Sequence, residues 1–487
     1  MAKPDGYLTD DLDPQDRPPK DACGVFGVWA PGEDVAKLAY YGLYALQHRG
    51  QASAGIAVSD GNRIVVHKEM GLVAQVFDEP SLTALRGYIA VAHCRYSTTG
   101  KSVWANAQPT FRSTPDGGLA LGHNGNLTNS RELAALIPAA VGPVPVAATS
   151  DTDVLTELFA QGGPGPEPAK CTEDAVAATL PLVKGAYCLV FMDENTLYAA
   201  RDPQGFRPLV LGQLADGWVV ASETAALDIV GAKLVREIRP GELIAIDANG
   251  VRSRRFAPEE PRGCVFEYVY LARPDTTIAG RGVYATRVEI GRRLAAEHPA
   301  EADLVIPVPE SGTPAAIGYA EASGIPYGQG LVKNSYVGRT FIEPSQTIRQ
   351  LGIRLKLNPL RDVLAGRRIV VVDDSIVRGN TQRAIVAMLR DAGALEVHVR
   401  IASPPVRWPC FFGIDFASRD ELIAGRHTPA EIRASIGADS LGYVSNEGMI
   451  AATTIPAGKL CRACFDGEYP VEVPETERGK HVLEPVR

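Results

Sequence analysis

Two carboxylates, Asp373 and Asp374, close the all-apolar run IVVV and stand before SIVRGNT, a loop-forming stretch that contains one glycine. In an open parallel sheet the ligand sits at the carboxyl ends of the strands, which is where these acids fall. Backbone N–H groups of Ser375, Ile376, Val377, Arg378, Gly379, Asn380 and Thr381 can converge there on a phosphate, helped by the positive end of the helix that follows. Acids beside such a cradle take Mg²⁺ or ribose hydroxyls as partners. The plainer alternative is that they only cap the helix. A second set is four cysteines: Cys461 and Cys464 in LCRACF, Cys264 in GCVFEYVY and Cys410 in WPCFFG. Four thiolates in one domain can hold zinc or an iron–sulfur cluster, and spacing does not decide between them. An inert or redox-active C-x-x-C pair is the alternative. Cys23, in ACGVFG, is either a nucleophile or a small apolar residue of a first strand.

The elements that must position these residues change character along the chain. Up to about Ala257 short apolar runs such as CGVFGVWA, YIAVAHCRYS, GLALGHNGNL and AYCLVFMD are broken by Gly, Pro and Asn, a pattern of many strands and few helices. From about Glu259 onward, DLVIPVPESGTPAAIGYAEASG and RIVVVDDSIVRGNTQRAIVAMLRDAGA each read as buried strand, loop and helix, the alternation of a parallel α/β sheet. The Pro- and charge-rich FAPEEPRG between them suits a domain crossing, with the boundary near Pro261. The last stretch, PETERGKHVLEPVR, is polar enough for a loose tail. A net charge of −8 without blocks of Lys or Arg gives no basic field, so nucleic acid is not an expected partner. No apolar run approaches the roughly twenty residues of a membrane helix, and Met1 to Ala22 is not signal-like. A soluble cytoplasmic protein is expected, in which special cysteines are ligands or nucleophiles and Cys94, Cys171 and Cys188 are ordinary.

The stretch Ile369 to Thr381 resembles the phosphoribosyl pyrophosphate signature of type I phosphoribosyltransferases. The resemblance extends through the domain to the amidophosphoribosyltransferase family. It implies that Ser311, in VIPVPESGTP, joins Asp373 and Asp374 around magnesium and diphosphate, and that 375–381 holds the 5′-phosphate. It further implies a loop that closes over the substrate, with Lys333, Tyr336, Arg339 and Arg354 as contacts. Closure would keep water from a charged, water-sensitive displacement.

ACGVFG resembles the amino terminus of class II glutamine amidotransferases, whose fold is an α+β N-terminal-nucleophile four-layer αββα sandwich. Cys23 is then the nucleophile and its own α-amine the base, with a reference pKa of about 8. A cysteine inside a chain has no free amine, so Met1–Ala22 is expected to be a propeptide cut between Ala22 and Cys23. By the same resemblance Arg95, in HCRYSTTG, grips the glutamine carboxylate and Asp151, in SDTDVL, its ammonium. Asn124 and Gly125, in GHNGNL, supply the oxyanion donors. YALQHRGQASAG also matches and takes a structural or positioning role. The branch of the family with a propeptide carries a [4Fe-4S] cluster on cysteines matching Cys264, Cys410, Cys461 and Cys464, as structural metal. The implied layout is propeptide 1–22, glutamine amidotransferase domain 23–260, α/β type I phosphoribosyltransferase domain 261–470 and polar tail 471–487. The implied reaction turns glutamine, phosphoribosyl pyrophosphate and water into 5-phosphoribosylamine, diphosphate and glutamate, the first committed step of purine (IMP) synthesis, with ammonia passed internally. Homotetramers and feedback by purine nucleotides are also implied.

Overall fold

The computed structural model of the chain describes residues 23–96, 102–115, 117–137, 150–164, 168–334, 357–414, 418–475 and 483. Two antiparallel sheets are built from the first half. One runs, in spatial order, Lys233–Glu237, Val210–Leu214, Gly217–Ala221, Gly24–Trp29, Ile89–Arg95, Ser53–Ser59 and Ile64–Met70. The other runs Gly250–Arg255, Glu242–Asp247, Leu197–Arg201, Gly185–Met192, Gly117–Leu127 and Thr110–Thr114. Alternate residues of each strand point to opposite faces. Val25, Val91, Ala120, Val190 and Ile244 accordingly meet in a core between the sheets. The outward faces carry helices: Val35–Ala45 packs on the first sheet through Ala39 and Leu43, and Asp151–Ala160 on the second through Leu155 and Leu158. Layers thus stack helix, sheet, sheet, helix.

In the second half four parallel strands, Leu304–Pro307, Arg368–Asp373, Glu396–Ile401 and Ser440–Tyr443, lie in that order. Ile369, Val370, Val371 and Val372 are all fully buried, because helices cover both faces of the sheet. Val370 and Val372 face the pair Val283–Glu297 and Thr313–Ser323, while Ile369 and Val371 face Asn380–Asp391 and Pro429–Ile436. The first pair approaches closely at two glycines. A Cβ on Gly291 would sit 1.9 Å from Ala315 O, and one on Gly318 1.9 Å from Val288 O. The first strand–helix unit read from the sequence is therefore Leu304–Pro307 with Thr313–Ser323, and the second Arg368–Asp373 with Asn380–Asp391. Early in the second half, Glu267–Leu271 forms one π-helical turn. In the polar tail Leu483 packs against the core of the second antiparallel sheet, so this residue is not loose.

Candidate active sites

Cys23 immediately precedes the central strand Gly24–Trp29, where Gly24 lies opposite Cys94, the neighbour of Arg95. Its thiol is buried and donates to Tyr96 O at 3.2 Å, while Tyr96 N–H donates back to the sulfur at 3.2 Å. Burial pushes the thiol pKa up; the Tyr96 hydrogen bond and the Arg95 charge oppose that rise, and Asp151 adds to it. Arg95 is buried too, and against the cost of burial it is held by Cys23, Asp151 and Asp153. His93, two residues earlier, bonds His123 O across the sandwich at 2.9 Å, bringing the strand of Asn124 and Gly125 to the same place. Asn124 is fully buried, and neither its amide nitrogen nor its oxygen has a hydrogen-bond partner among the described residues. Buried polar atoms are nearly always paired, so this amide is a candidate to bind something else. Gly125 admits no side chain, since a Cβ would fall 2.0 Å from Ala186 O. Asp151 opens the helix Asp151–Ala160, whose cap is Ser150. Its carboxylate accepts from Leu127 N–H at 3.0 Å and Thr152 N–H at 2.9 Å, which leaves lone pairs for a ligand.

The paired acids end the strand Arg368–Asp373 as the apolar run suggests. Asp373 accepts from Asp374 N–H at 2.9 Å and from the Gln382 amide, and Asp374 accepts from the hydroxyls of Ser375 and Ser311. Burial raises both carboxyl pKa values, and the Asp374 charge raises Asp373 further. Two desolvated acids in contact gain from a cation. Among the described residues no three of His, Cys, Asp and Glu converge to hold a single metal ion. Magnesium does not require that, since it is commonly held through one or two carboxylates with substrate phosphates and water completing its shell.

Gly379 caps the helix Asn380–Asp391 with φ +80° and provides no side chain to its first N–H groups, so 375–381 lies at the positive end of that helix. Ile376 and Val377 are buried, which leaves only their backbone to bind; Arg378 is tied to Glu421. Lys333 is exposed at the end of Leu331–Lys333, which pairs antiparallel with Leu357–Pro359. These two strands form the base of the segment carrying Tyr336, Arg339 and Arg354, which lie outside the described residues.

Residues 93–229 match the glutamine amidotransferase domain family. The amidophosphoribosyltransferase of Mycobacterium tuberculosis is 66% identical over 476 residues, 96% of this chain and 90% of that protein. The chain belongs to the amidophosphoribosyltransferase family. The Bacillus subtilis member is 46% identical across 95% of this chain and 97% of its own. The solved glutamine phosphoribosylpyrophosphate amidotransferase from B. subtilis, complexed with ADP and GMP, superposes with a TM-score of 0.87 at 45% identity, covering 94% of this chain and 100% of that one. The two halves described above are therefore an N-terminal-nucleophile amidotransferase fold and a phosphoribosyltransferase fold. The chain is an enzyme of glutamine-dependent amide transfer to phosphoribosyl pyrophosphate in purine biosynthesis.

In this family member the four cysteines lie near one another. Gly263–Cys264 and Leu460–Cys461 form a two-stranded parallel pair that sets Cys264 opposite Cys461. Burial pushes Cys264 up to about 11 and Cys461 and Cys464 well above the ordinary thiol value, and the charges of the other cysteines add to it. Backbone N–H groups of Phe266, Ala463 and Phe412 point at the sulfurs of Cys264, Cys461 and Cys410. Clustered sulfurs receiving N–H bonds fit an iron–sulfur centre, whose several irons spread the ligands wider than one ion does. Cys94 and Cys188 are buried and Cys171 exposed.

Sequence reading missed the charged core between the halves. Arg49, Arg207, Glu223 and Glu267 are almost wholly buried. Arg49 donates to Glu223 and, at 2.7 and 3.2 Å, to Glu267, so the QHRG segment has a structural partner in the second half. The structural role expected of that segment thus has its partners in Glu223 and Glu267, whose own runs carry no sign of burial because Glu is ordinarily a surface residue.

Proposed function

We propose that the amide transfer runs through two sites, one in each half, with Cys23 and the Asp373–Asp374 pair at their centres. At the first, Cys23 Sγ attacks the side-chain carbonyl carbon of glutamine. Release of Met1–Ala22 frees the α-amine, which takes the thiol proton and delivers it to the departing ammonia. Charge builds on the amide oxygen during attack, and Asn124 Nδ2–H with Gly125 N–H donate to it. The open Asn124 amide is the observation that carries this reading. Arg95 pairs with the glutamine carboxylate and Asp151 with its ammonium, and water then frees glutamate from the thioester.

At the second site 375–381 holds the 5′-phosphate through backbone donors. Asp373, Asp374 and Ser311 hold magnesium, which would neutralise the departing diphosphate. The segment from Lys333, with Tyr336, Arg339 and Arg354, closes over the ribose and excludes water while ammonia arrives internally from the first site. Cys264, Cys410, Cys461 and Cys464 hold a [4Fe-4S] cluster that ties the start, middle and end of the second domain together. Purine nucleotides act as feedback inhibitors, in keeping with the ADP and GMP bound by the B. subtilis relative, and the enzyme works as a cytoplasmic homotetramer. No helix among the described residues is long and apolar enough to cross a membrane.

The test is diphosphate release from phosphoribosyl pyrophosphate with Mg²⁺, with glutamine or ammonium as nitrogen source, by anaerobically purified protein whose mass places its first residue at Cys23. Cys23→Ala is expected to abolish the glutamine reaction and keep the ammonium one. Equal loss of both would count against two sites, and active enzyme beginning at Met1 against the propeptide.

A further inference from the structure

The buried charges lead from the domain junction to the oxyanion donors. Arg207 is fully buried between the strands Leu197–Arg201 and Val210–Leu214. Its guanidinium donates to Glu267 Oε1 at 3.1 Å and, through Nε and Nη2, to Phe412 O at 3.2 and 2.8 Å. Arg49 holds the other side of Glu267. Phe206, the preceding residue, stacks on Phe412 with ring centroids 4.3 Å apart, and Asn126 Nδ2–H donates to Phe411 O at 3.1 Å. The segment Cys410–Gly413 is thereby pinned from two directions. Gly413, at φ +100°, is wedged between Arg207 and the oxyanion strand. A Cβ there would lie 3.2 Å from the Gly125 carbonyl carbon and 3.3 Å from Arg207 Nη2.

We infer that Arg207 is a positioning residue for glutamine hydrolysis: through its fork to Phe412 O and Glu267 it holds the Phe411–Gly413 segment of the second half against Gly125. The Gly125 backbone, registered against Tyr187 in its own sheet, is thereby backed by a piece of the other domain. No side chain of Gly125 exists to hold it, and its neighbour Asn126 is itself bonded to that piece. Arg207 does not touch the substrate in this arrangement; it acts through backbone. A planar fork is needed because two N–H groups converge on one carbonyl while a third reaches a carboxylate, a geometry an ammonium does not reproduce.

The inference rests on the proposed roles of Cys23 and Gly125, and the experiment separates the two. Arg207→Lys keeps the buried charge and removes the fork. Glutamine hydrolysis is expected to lose about ten- to a hundredfold in kcat, the scale of a displaced oxyanion donor. The glutamine KM, the ammonia-dependent rate and the rate of Cys23 alkylation by iodoacetamide should all stay within about twofold, because alkylation builds no oxyanion. Gly413→Ala, which keeps the Arg207 side chain and presses the segment on Gly125 and on Arg207 Nη2, is expected to give the same pattern, and carries the test if Arg207→Lys does not fold. Unchanged kcat in these variants, a change in KM alone, or a parallel fall of glutamine hydrolysis, alkylation and the ammonia rate would overturn the inference. Glutamine hydrolysis surviving in Cys23→Ala would instead sink the underlying reading of the site.

Discussion

Asn124→Ala should separate catalysis from stability. A residue kept for structure loses stability on truncation, because a buried partner is left unpaired at a cost of about 1–3 kcal/mol. Among the described residues Asn124 has no partner to strand: it is fully buried and both amide atoms stand open. Removing them relieves a similar penalty, which offsets the packing lost with a small side chain. The net change in folding free energy should therefore stay within about 2 kcal/mol of zero, at the lower edge of what buried truncations usually cost. In the transition state the same amide is a donor to developing negative charge, and its loss should cost about 2.7–4 kcal/mol, a factor of about 10²–10³ in kcat. The assays are glutamate release with saturating phosphoribosyl pyrophosphate, the ammonia-dependent rate as an internal control, and a thermal melt. A kcat within about threefold of the parent, or a rise in KM with kcat unchanged, would mean that Asn124 is not an oxyanion donor.

Three further outcomes are expected. Asp373→Asn should raise the magnesium concentration for half-maximal ammonia-dependent activity by about tenfold or more without lowering the melting temperature of the metal-free protein, because burial and Asp374 already disfavour the charge and the Gln382 amide can turn its unpartnered oxygen to the new N–H; an unchanged magnesium titration would remove Asp373 from the metal site. Glu223→Gln should destabilise the protein by about 3–5 kcal/mol at neutral pH, since it leaves Arg49 short of a buried partner. Against burial, Arg49 and His48 hold the Glu223 carboxyl far below the usual 4.5, so its contribution is whole above that value and drains only as pH falls through the depressed one; denaturant titrations at several pH values should show the gap between parent and variant narrowing only in acid. Cys464→Ser should lower iron per chain and the melting temperature together, and full iron content in the variant would free Cys464 from the ligand set.

Much of this enzyme was legible along the chain because the signals are local. An all-apolar run ending in two acids and a loop with one glycine predicts a buried parallel strand that runs into a helix, and the structure shows both between Arg368 and Asp391. Short apolar runs broken by Gly, Pro and Asn likewise announced the strands of the first half, since such residues end a strand where the chain must turn. The amidotransferase motifs are each weak alone and are legible through the family resemblance that their order and joint occurrence carry.

What the chain alone could not show is which charges meet. Arg49 and Glu267 are 218 positions apart and Arg207 and Phe412 are 205, so no window contains either contact. Arg, Glu and Asp are ordinarily surface residues, and only the fold converts these into a neutral buried group by bringing opposite charges together before water leaves. The same holds for Asn124: its type suggests a turn or a donor, and only the packing around it leaves the amide without a partner among the described residues. Sequence by itself determined the elements and the chemistry each motif can offer, because backbone preference and side-chain type are properties of neighbours. Tertiary structure alone decided which of those groups are desolvated, paired or left open, because desolvation depends on everything packed around an atom and not on its place in the chain.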